Sequence, residues 1–345
     1  MAVVGAGLIG RRHIEMIQRS RSAHLAAIVD PSPGLLLPDG CEAVPVLPSL
    51  EHLFAGDRID GAIIATPNAL HVPQALQCLD AGLPVLVEKP LSHSLADGER
   101  LVKAAESAGA RLLVGHHRRH SPILAAAVKI LQSGVLGRLV AVQGSAVFCK
   151  PASYFGGPFA WRREPGGGPV LINMIHEADD LRALVGEIIA VQAMSSADTR
   201  QFPVEDTVTI NLRFAHGVLG SFLLSDTAAS PRSWEQTSRE NPDFAHCSDE
   251  DAYTIMGTHG SLGIPTLRLR YYRPGAERSW CTPFATAMVP VERADPLARQ
   301  IEHFAAVIRG EATPLVSGRD GLQNLRVIDA ILAAARSGTT VEIPT

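Results

Sequence analysis

Residues 2–10 read Ala2-Val3-Val4-Gly5-Ala6-Gly7-Leu8-Ile9-Gly10, an apolar strand running straight into a G-x-G-x-x-G turn. Each glycine has its own mechanical reason. The first permits the tight bend, the second lets backbone approach a pyrophosphate, and the third lets the following helix pack close to the strand. A helix should begin here with its amino-terminal N–H groups facing phosphate oxygens. Ile9, Ile14, Met16 and Ile17, interspersed with Arg11, Arg12, Glu15, Gln18 and Arg19, fit that helix. A second apolar run, Leu25 to Val29, ends in Asp30, 20 residues beyond Gly10. An acid at that place accepts hydrogen bonds from both adenosine ribose hydroxyls and repels a 2′-phosphate, so the pocket favours NAD over NADP. The turn alone is a weak signal, but strand, helix and Asp30 agree. The strand is short before Gly5, and we expect the natural amino terminus to lie upstream of Met1.

From this start to about Ser121, short apolar strands alternate with amphipathic helices. The strand candidates are Ala2 to Val4, Leu25 to Val29, Gly61 to Ala65, Pro84 to Val87 and Arg111 to Val114. That alternation implies parallel pairing, right-handed crossovers and a doubly wound α/β sheet, so residues 1–121 read as a Rossmann domain. Ligands of such sheets bind beyond the carboxyl ends of the strands, which directs the loops after Val4, Ala65 and Val87 to the cofactor. Past a helix at Pro122 to Ser133 the period changes to two. Leu139–Phe148, Ile188–Ser196, Asp206–Phe214, Gly217–Asp226, Ala252–Met256 and Leu267–Tyr272 read as strands of a mostly antiparallel sheet, with Ala215-His216-Gly217 as one hairpin turn. Residues 122–345 thus read as an α+β domain whose open sheet face is suited to a homodimer or homotetramer. Asp295 to Arg309 and Gly318 to Ser337 read as helices, the second able to pack back on the first domain.

Composition limits the partners. The chain has 345 residues, 46% hydrophobic and 19% charged, with a net charge of −4, enough for two domains and without the basic field that nucleic acid requires. Its apolar runs fall short of the roughly 20 residues that span a bilayer, so no membrane partner is expected. Five scattered cysteines without a C-x-x-C pair suggest free thiols in a reducing cytoplasm.

Several stretches can carry chemistry. In Ala65-Thr66-Pro67-Asn68-Ala69-Leu70-His71, Thr66 and Asn68 can bond a ribose or nicotinamide amide; a capped helix start is the plain alternative. Glu88-Lys89-Pro90 sets a lysine between an acid and a proline at a strand's carboxyl end, facing the reacting part of a dinucleotide, with a cis bond before the proline as one means of aiming it. Gly115-His116-His117-Arg118-Arg119-His120 invites a metal reading, but two arginines intervene and nothing there suggests a helix, so no metal is expected. In Gly166 to Asp180, a helix starting near Pro169 would align Asn173, His176 and Asp180 on one face. The glycines before it suggest a crowded site where backbone approaches a ligand.

Gly5 to Gly10, Ala65-Thr66-Pro67, Glu88-Lys89-Pro90, Gly115 to Pro122 and Gly166 to Asp179, in this order, resemble the Gfo/Idh/MocA family of NAD(P)-dependent oxidoreductases, which includes glucose–fructose oxidoreductase and inositol dehydrogenase. The resemblance implies an amino-terminal Rossmann domain and a carboxyl-terminal domain whose open sheet mediates oligomers. It maps the catalytic lysine to Lys89 and the catalytic histidine to His176. Many members carry an aspartate four residues before that histidine, where this chain has Ile172; Asn173 can supply a hydrogen bond there but cannot act as a base.

The implied reaction is hydride transfer between NAD and a secondary alcohol of a sugar, polyol or related cyclic compound. Lys89 and His176 would divide the acid–base work and Asn173 would clamp the hydroxyl. The other candidate substrate contacts are His116, Arg118, Tyr154, Trp161 and Arg162. Arg118, Arg119, Arg162 and Arg163, with Tyr154 and Trp161, suggest a pocket that could also hold a carboxylate, although ion pairs explain the arginines at least equally well. Trp234, Gln236 and Asn241, in the polar stretch Ala228 to Asp251, could reach the pocket from above. The cofactor candidates are Gly5, Gly7, Leu8, Ile9, Gly10, Asp30, Ala65, Thr66, Pro67, Asn68, His71, Glu88, Lys89 and Pro90. Two rival readings are an NAD(H)-binding sensor without catalysis, favoured by Ile172, and a sugar–sugar oxidoreductase with tightly held cofactor.

Overall fold

The computed structural model describes residues 1–344, other than the side chain of Pro158. In chain order its elements are β1 (Ala2–Val4), α1 (Leu8–Arg19), β2 (Ala27–Val29), β3 (Val46–Leu47), α2 (Leu50–Phe54), β4 (Ala62–Ile64), α3 (Asn68–Asp80), β5 (Val85–Val87), α4 (Leu95–Ser107) and β6 (Leu112–Val114). There follow α5 (Pro122–Gln132), β7 (Leu139–Val147), α6 (Ile175–Val185), β8 (Ile188–Ser196), β9 (Thr207–Phe214), β10 (Leu219–Ser225), α7 (Trp234–Ser238), β11 (Tyr253–Gly257), β12 (Gly260–Ile264), β13 (Arg268–Tyr271) and β14 (Ala285–Met288). The chain closes with α8 (Pro296–Arg309), α9 (Gly318–Ser337) and β15 (Val341–Glu342).

The first unit comprises Met1–His120 and Asp295–Leu325. Among the described residues its sheet has six parallel strands in the order β3-β2-β1-β4-β5-β6, so the chain winds outward in both directions from the β1/β4 neighbours. Strands this short succeed because both faces are buried. The middle residues Val3, Ile28, Ile63, Leu86 and Leu113 turn to one face, where α1 contributes Ile14 and Ile17 and α8 contributes Leu297, Ile301 and Phe304. The flanking residues, among them Val4, Val29, Ile64 and Val87, turn to the other, against Leu53 of α2, Val72 and Ala75 of α3 and Leu101 of α4. The helix expected at Asp295 to Arg309 therefore serves the parallel sheet, capped by Asp295 Oδ1 accepting from Leu297 N at 2.8 Å. The first unit is thus not one continuous stretch of sequence.

The second unit comprises residues 121–294 and the chain from Arg326 onward. Among the described residues its sheet has nine strands in the order β14-β13-β12-β11-β7-β10-β9-β8-β15; β7 and β10 run parallel and every other neighbouring pair antiparallel. Strand β9 alternates strictly, with Val208, Ile210, Leu212 and Phe214 buried and Thr209, Asn211 and Arg213 exposed. The buried set packs in one core with Ile123 and Leu124 of α5, Ala178 and Leu181 of α6, and Ile328 and Ile331 of α9. The opposite face carries exposed Met194, Leu219 and Leu223. The helix expected from Pro169 differs in form: Val170–Met174 is a π turn, and regular α-helix begins at Ile175. Pro169 has no N–H to give, and Glu205 Oε1 caps Val170 N at 2.9 Å. No helix among the described residues is long and apolar enough to cross a membrane.

Candidate functional site

In the first unit the main-chain ladder continues one step beyond the strands. Gly5 N bonds Val29 O at 2.8 Å, Ala65 N bonds Val4 O at 2.7 Å, Glu88 N bonds Ile64 O at 2.9 Å and Gly115 N bonds Val87 O at 2.7 Å. These bonds set the expected motifs in a row along the carboxyl edge of the sheet. Gly5 has φ +91°, and a Cβ there would lie 2.8 Å from the Ala65 carbonyl. A Cβ on Gly10 would lie 1.9 Å from Gly5 O, so α1 approaches the turn as closely as two backbones can. Gly7 is the opposite case: a Cβ would meet nothing within 4 Å. It is the N-cap of α1 and makes no side-chain cap, Leu8 after it is exposed and Ile9 is half-buried. The open side of the turn therefore lies over the amino end of a helix, a cradle that fits the pyrophosphate of a dinucleotide.

Asp30 follows β2. Its Oδ2 accepts from Ala6 N at 2.8 Å and its Oδ1 from Ser32 N at 2.9 Å. Partial burial raises its pKa, but these bonds outweigh it and hold the carboxyl below its ordinary value. Asp30 is thus fixed to the glycine turn as an anion.

The loops after β4 and β5 are tied together by His71. Its ring nitrogens lie 2.8 Å from Pro90 O and 2.9 Å from Thr66 O, and the side chain is buried. Burial lowers its pKa despite those two carbonyls. Expected as a cofactor contact, His71 is buried with both ring nitrogens facing backbone carbonyls, and the nitrogen that carries the proton donates to one of them. Thr66 Oγ1 donates to Gln74 Oε1 at 2.6 Å, Pro67 is the exposed N-cap of α3, and Asn68, its first residue, is half-buried. The Lys89–Pro90 bond is cis.

Glu88 is buried, with His13 Nε2 2.7 Å from its Oε1 and Lys89 N donating to its Oε2 at 3.1 Å. Burial raises its pKa, and the His13 bond with the charges of His13, Lys89 and His117 more than reverses that. Sequence reasoning missed His13. Its signal was a histidine on the buried face of α1, three residues after Gly10 and beside Ile14. Half-buried Lys89 thus follows a residue anchored to α1. Beyond β6, His117–His120 forms a single 3-10 turn where no helix was expected. His116 is buried with its Nε2 3.2 Å from Asn324 Nδ2, and Arg118 is buried too.

In the second unit His176 lies in the first turn of α6 and is buried. Ile172 and Asn173 belong to the π turn before it. Asn173 Oδ1 accepts from Lys150 Nζ at 2.7 Å, and Lys150 lies 3.7 Å from Asp226, which also takes Arg200 Nε at 2.8 Å. Lys150, Arg200 and Asp226 were not anticipated; strand periodicity gave no sign that the ends of β7 and β10 meet the π turn. Arg162 Cζ stands 3.8 Å from the Tyr154 ring centroid and its Nη1 donates to Tyr154 O at 3.0 Å; Trp161 is exposed. Burial, opposed by Arg162, raises the Tyr154 pKa.

The glycine run is crowded by its own chain. A Cβ on Gly167 would lie 2.6 Å from Arg162 O, and one on Gly168 2.6 Å from Glu205 Oε1. Trp234, expected near a pocket, is a core residue whose Nε1 donates to Glu240 Oε2 at 3.1 Å; Gln236 and Asn241 are half-buried.

Comparison with known proteins agrees over nearly the whole chain. The family model described as oxidoreductase family, NAD-binding Rossmann fold, matches residues 1–116, and its companion, oxidoreductase family, C-terminal alpha/beta domain, matches residues 128–343. The chain is 30% identical over 300 residues to 1,5-anhydro-D-fructose reductase of Ensifer adhaerens, covering 86% of this chain and 84% of that one. It is 29% identical to inositol 2-dehydrogenase of Rubrobacter xylanophilus, covering 100% and 93%. The crystal structure of the WlbA dehydrogenase from Bordetella pertussis, in complex with NADH and UDP-GlcNAcA, superposes with a TM-score of 0.76 at 26% identity over 100% of this chain and 98% of that one. With a parallel sheet in Rossmann order, a nine-stranded mixed sheet and both family models matched, this chain belongs to the Gfo/Idh/MocA family of oxidoreductases.

Proposed function

We propose that this protein is an NAD-dependent dehydrogenase acting on a secondary alcohol of a sugar, polyol or related cyclic hydroxylated compound. The reading is carried by the row of Asp30, Gly5, Ala65 and Glu88-Lys89 along the carboxyl edge of one sheet, in strand order from the open helix end to a lysine. Relatives named for 1,5-anhydro-D-fructose and inositol, and a similar structure holding NADH, support it.

Gly5 to Gly10 and the first amides of α1 would hold the pyrophosphate, and Asp30 the adenosine ribose, which favours NAD over NADP. When bound, the nicotinamide exchanges a hydride with the substrate carbon. The chain's task is then the proton on the alcohol oxygen. A lysine with an ordinary pKa near ~10.4 is a weak base at neutral pH, and desolvation or a nearby positive charge brings it into range. We assign that proton to Lys89, with the family's second acid–base role at His176. Ile172 leaves no carboxylate at its position, and Asn173, fixed by Lys150, offers its amide N–H groups to a hydroxyl.

Reduction of NAD by a panel of aldoses, polyols and sugar acids tests the reading, with NADP in parallel. Turnover with NAD at a higher kcat/KM than with NADP is expected. NADH binding without turnover of any panel member would replace the dehydrogenase by a sensor, and copurifying NAD(H) would point to a sugar–sugar oxidoreductase. We further assign the open face of the nine-stranded sheet, with Met194, Leu219 and Leu223, to a homodimer or homotetramer contact, which light scattering of the purified protein checks.

A further inference from the structure

The sequence offers four arginines that could meet a carboxylate; the structure separates them. Arg118 is buried and already engaged, and Arg163 is exposed beside Phe202. Arg119 likewise has partners. Arg162 alone of the four is half-buried, framed by rings, and without a paired carboxylate among the described residues.

The carboxylates near Arg162 are engaged elsewhere, Glu205 with the amide of Val170. Asp226 is shared by Arg200 and Lys150. The Oδ2 of Asp206 accepts from the amides of Thr199 and Arg200, and its Oδ1 from the Thr207 hydroxyl. None of these acids pairs with Arg162. The guanidinium lies over Tyr154 and 4.3 Å from the Phe159 ring centroid, one Nη1 hydrogen goes to Tyr154 O, and its Nε is buried without a hydrogen-bond partner. The second Nη1 hydrogen and the two on Nη2 make an end-on fork. A planar two-oxygen anion matches such a fork bidentately, and a ring-stacked guanidinium holds its direction.

The location ties this fork to the site. Lys150, whose Nζ stands 4.5 Å from the same Tyr154 ring, bonds Asn173 in the turn just before His176. We propose that Arg162 is the specificity-determining residue of this enzyme and that its substrate is a carboxylated sugar or polyol, bound through the carboxylate to the end-on fork of Arg162. The fork matches a pair of carboxylate or phosphate oxygens alike, and the phosphorylated sugar in the test below separates the two.

The assignment rests on the dehydrogenase reading only for what happens to the compound once bound. Two measurements therefore separate the two. In NAD reduction, kcat/KM is compared for D-glucose against D-glucuronate, D-galactose against D-galacturonate, and D-glucose 6-phosphate, with wild type, Arg162→Met and Arg162→Lys. We expect the wild type to favour each uronate over its neutral partner by about 10- to 100-fold, the worth of a charge-assisted bidentate contact. That ratio should collapse toward unity in Arg162→Met and recover in part in Arg162→Lys, which keeps the charge but not the fork. Independently, uronate binding to the NADH-loaded protein is followed by calorimetry, and loss of binding in Arg162→Met supports the proposal even where no compound is oxidised. A wild type that binds and turns over uronate no better than the neutral sugar overturns it. So does a preference for the phosphorylated sugar, or a uronate preference that survives Arg162→Met.

Discussion

Two alanine substitutions three residues apart should fail in opposite ways. In Gly10→Ala the new Cβ would lie 1.9 Å from Gly5 O and 2.9 Å from Gly5 C. Those atoms cannot retreat, because Gly5 N is bonded to Val29 O and Gly5 already abuts the Ala65 carbonyl. Forcing a methyl into such a contact costs about 1–3 kcal/mol, a fall in the first unit's Tm of roughly 2–12 °C. In Gly7→Ala the methyl meets nothing within 4 Å, and φ is −67°, an ordinary value for alanine. Its fold should be as stable as the wild type, or gain about 0.4–1 kcal/mol through the unfolded chain. Its methyl, however, stands where the pyrophosphate would approach. Weakening one amide–phosphate bond, at about 1.5–3 kcal/mol, raises the Kd for NADH by roughly 10- to 150-fold. Thermal melts and NADH fluorescence titrations of both variants decide the matter. A Gly7→Ala protein that binds NADH like wild type, or a Gly10→Ala protein that melts like it, refutes the reasoning about this turn.

Lys89→Ala should lower turnover by on the order of 10²-fold while the Kd for NADH, measured by fluorescence, stays within a factor of a few. His13→Ala should destabilise the first unit by about 3–5 kcal/mol at neutral pH, because the buried Glu88 carboxylate loses its partner; chemical denaturation measures this. The folded pKa of Glu88 is lowered, so its ionised form stabilises above the unfolded value of about 4.3 and that contribution is lost as pH falls through the folded value. Removing His13 should move acid unfolding to higher pH. Glu205 has the opposite sign: burial raises its pKa, so the folded state is penalised as pH rises above the unfolded value. Glu205→Gln keeps an oxygen for Val170 N and should melt higher than wild type at pH 7, with the difference gone near about pH 4.

The Rossmann sheet was legible because its strands and helices alternate in short, locally complete signals. The paired strand β3, with two residues, gives too little pattern to register, and Gly260-Ser261-Leu262-Gly263-Ile264 of β12 breaks the alternation that marked its neighbours. The site divides along the same line. Gly5 to Gly10 and Asp30 are near in sequence, and the Asp30–Ala6 bond follows from the turn itself. His13 with Glu88, His71 with Pro90 and Lys150 with Asn173 are pairings across the fold, and no local period encodes a partner so far along the chain. Ile172 was visible as a departure, but the π turn around it depends on Glu205, 35 residues away from Val170.

The return of α8 to the parallel sheet has a consequence for synthesis. One face of that sheet, bearing Val3, Ile28, Ile63, Leu86 and Leu113, is completed by Leu297, Ile301 and Phe304. At about 5–20 residues per second, α8 emerges roughly 10–40 s after His120 has been added. Until then the nascent sheet presents a half-bare apolar face to the crowded space around the ribosome. A chaperone that holds such surfaces should therefore engage this protein during translation of its middle half, and a gene cut after residue 121 should yield an aggregating product rather than an independent nucleotide-binding module.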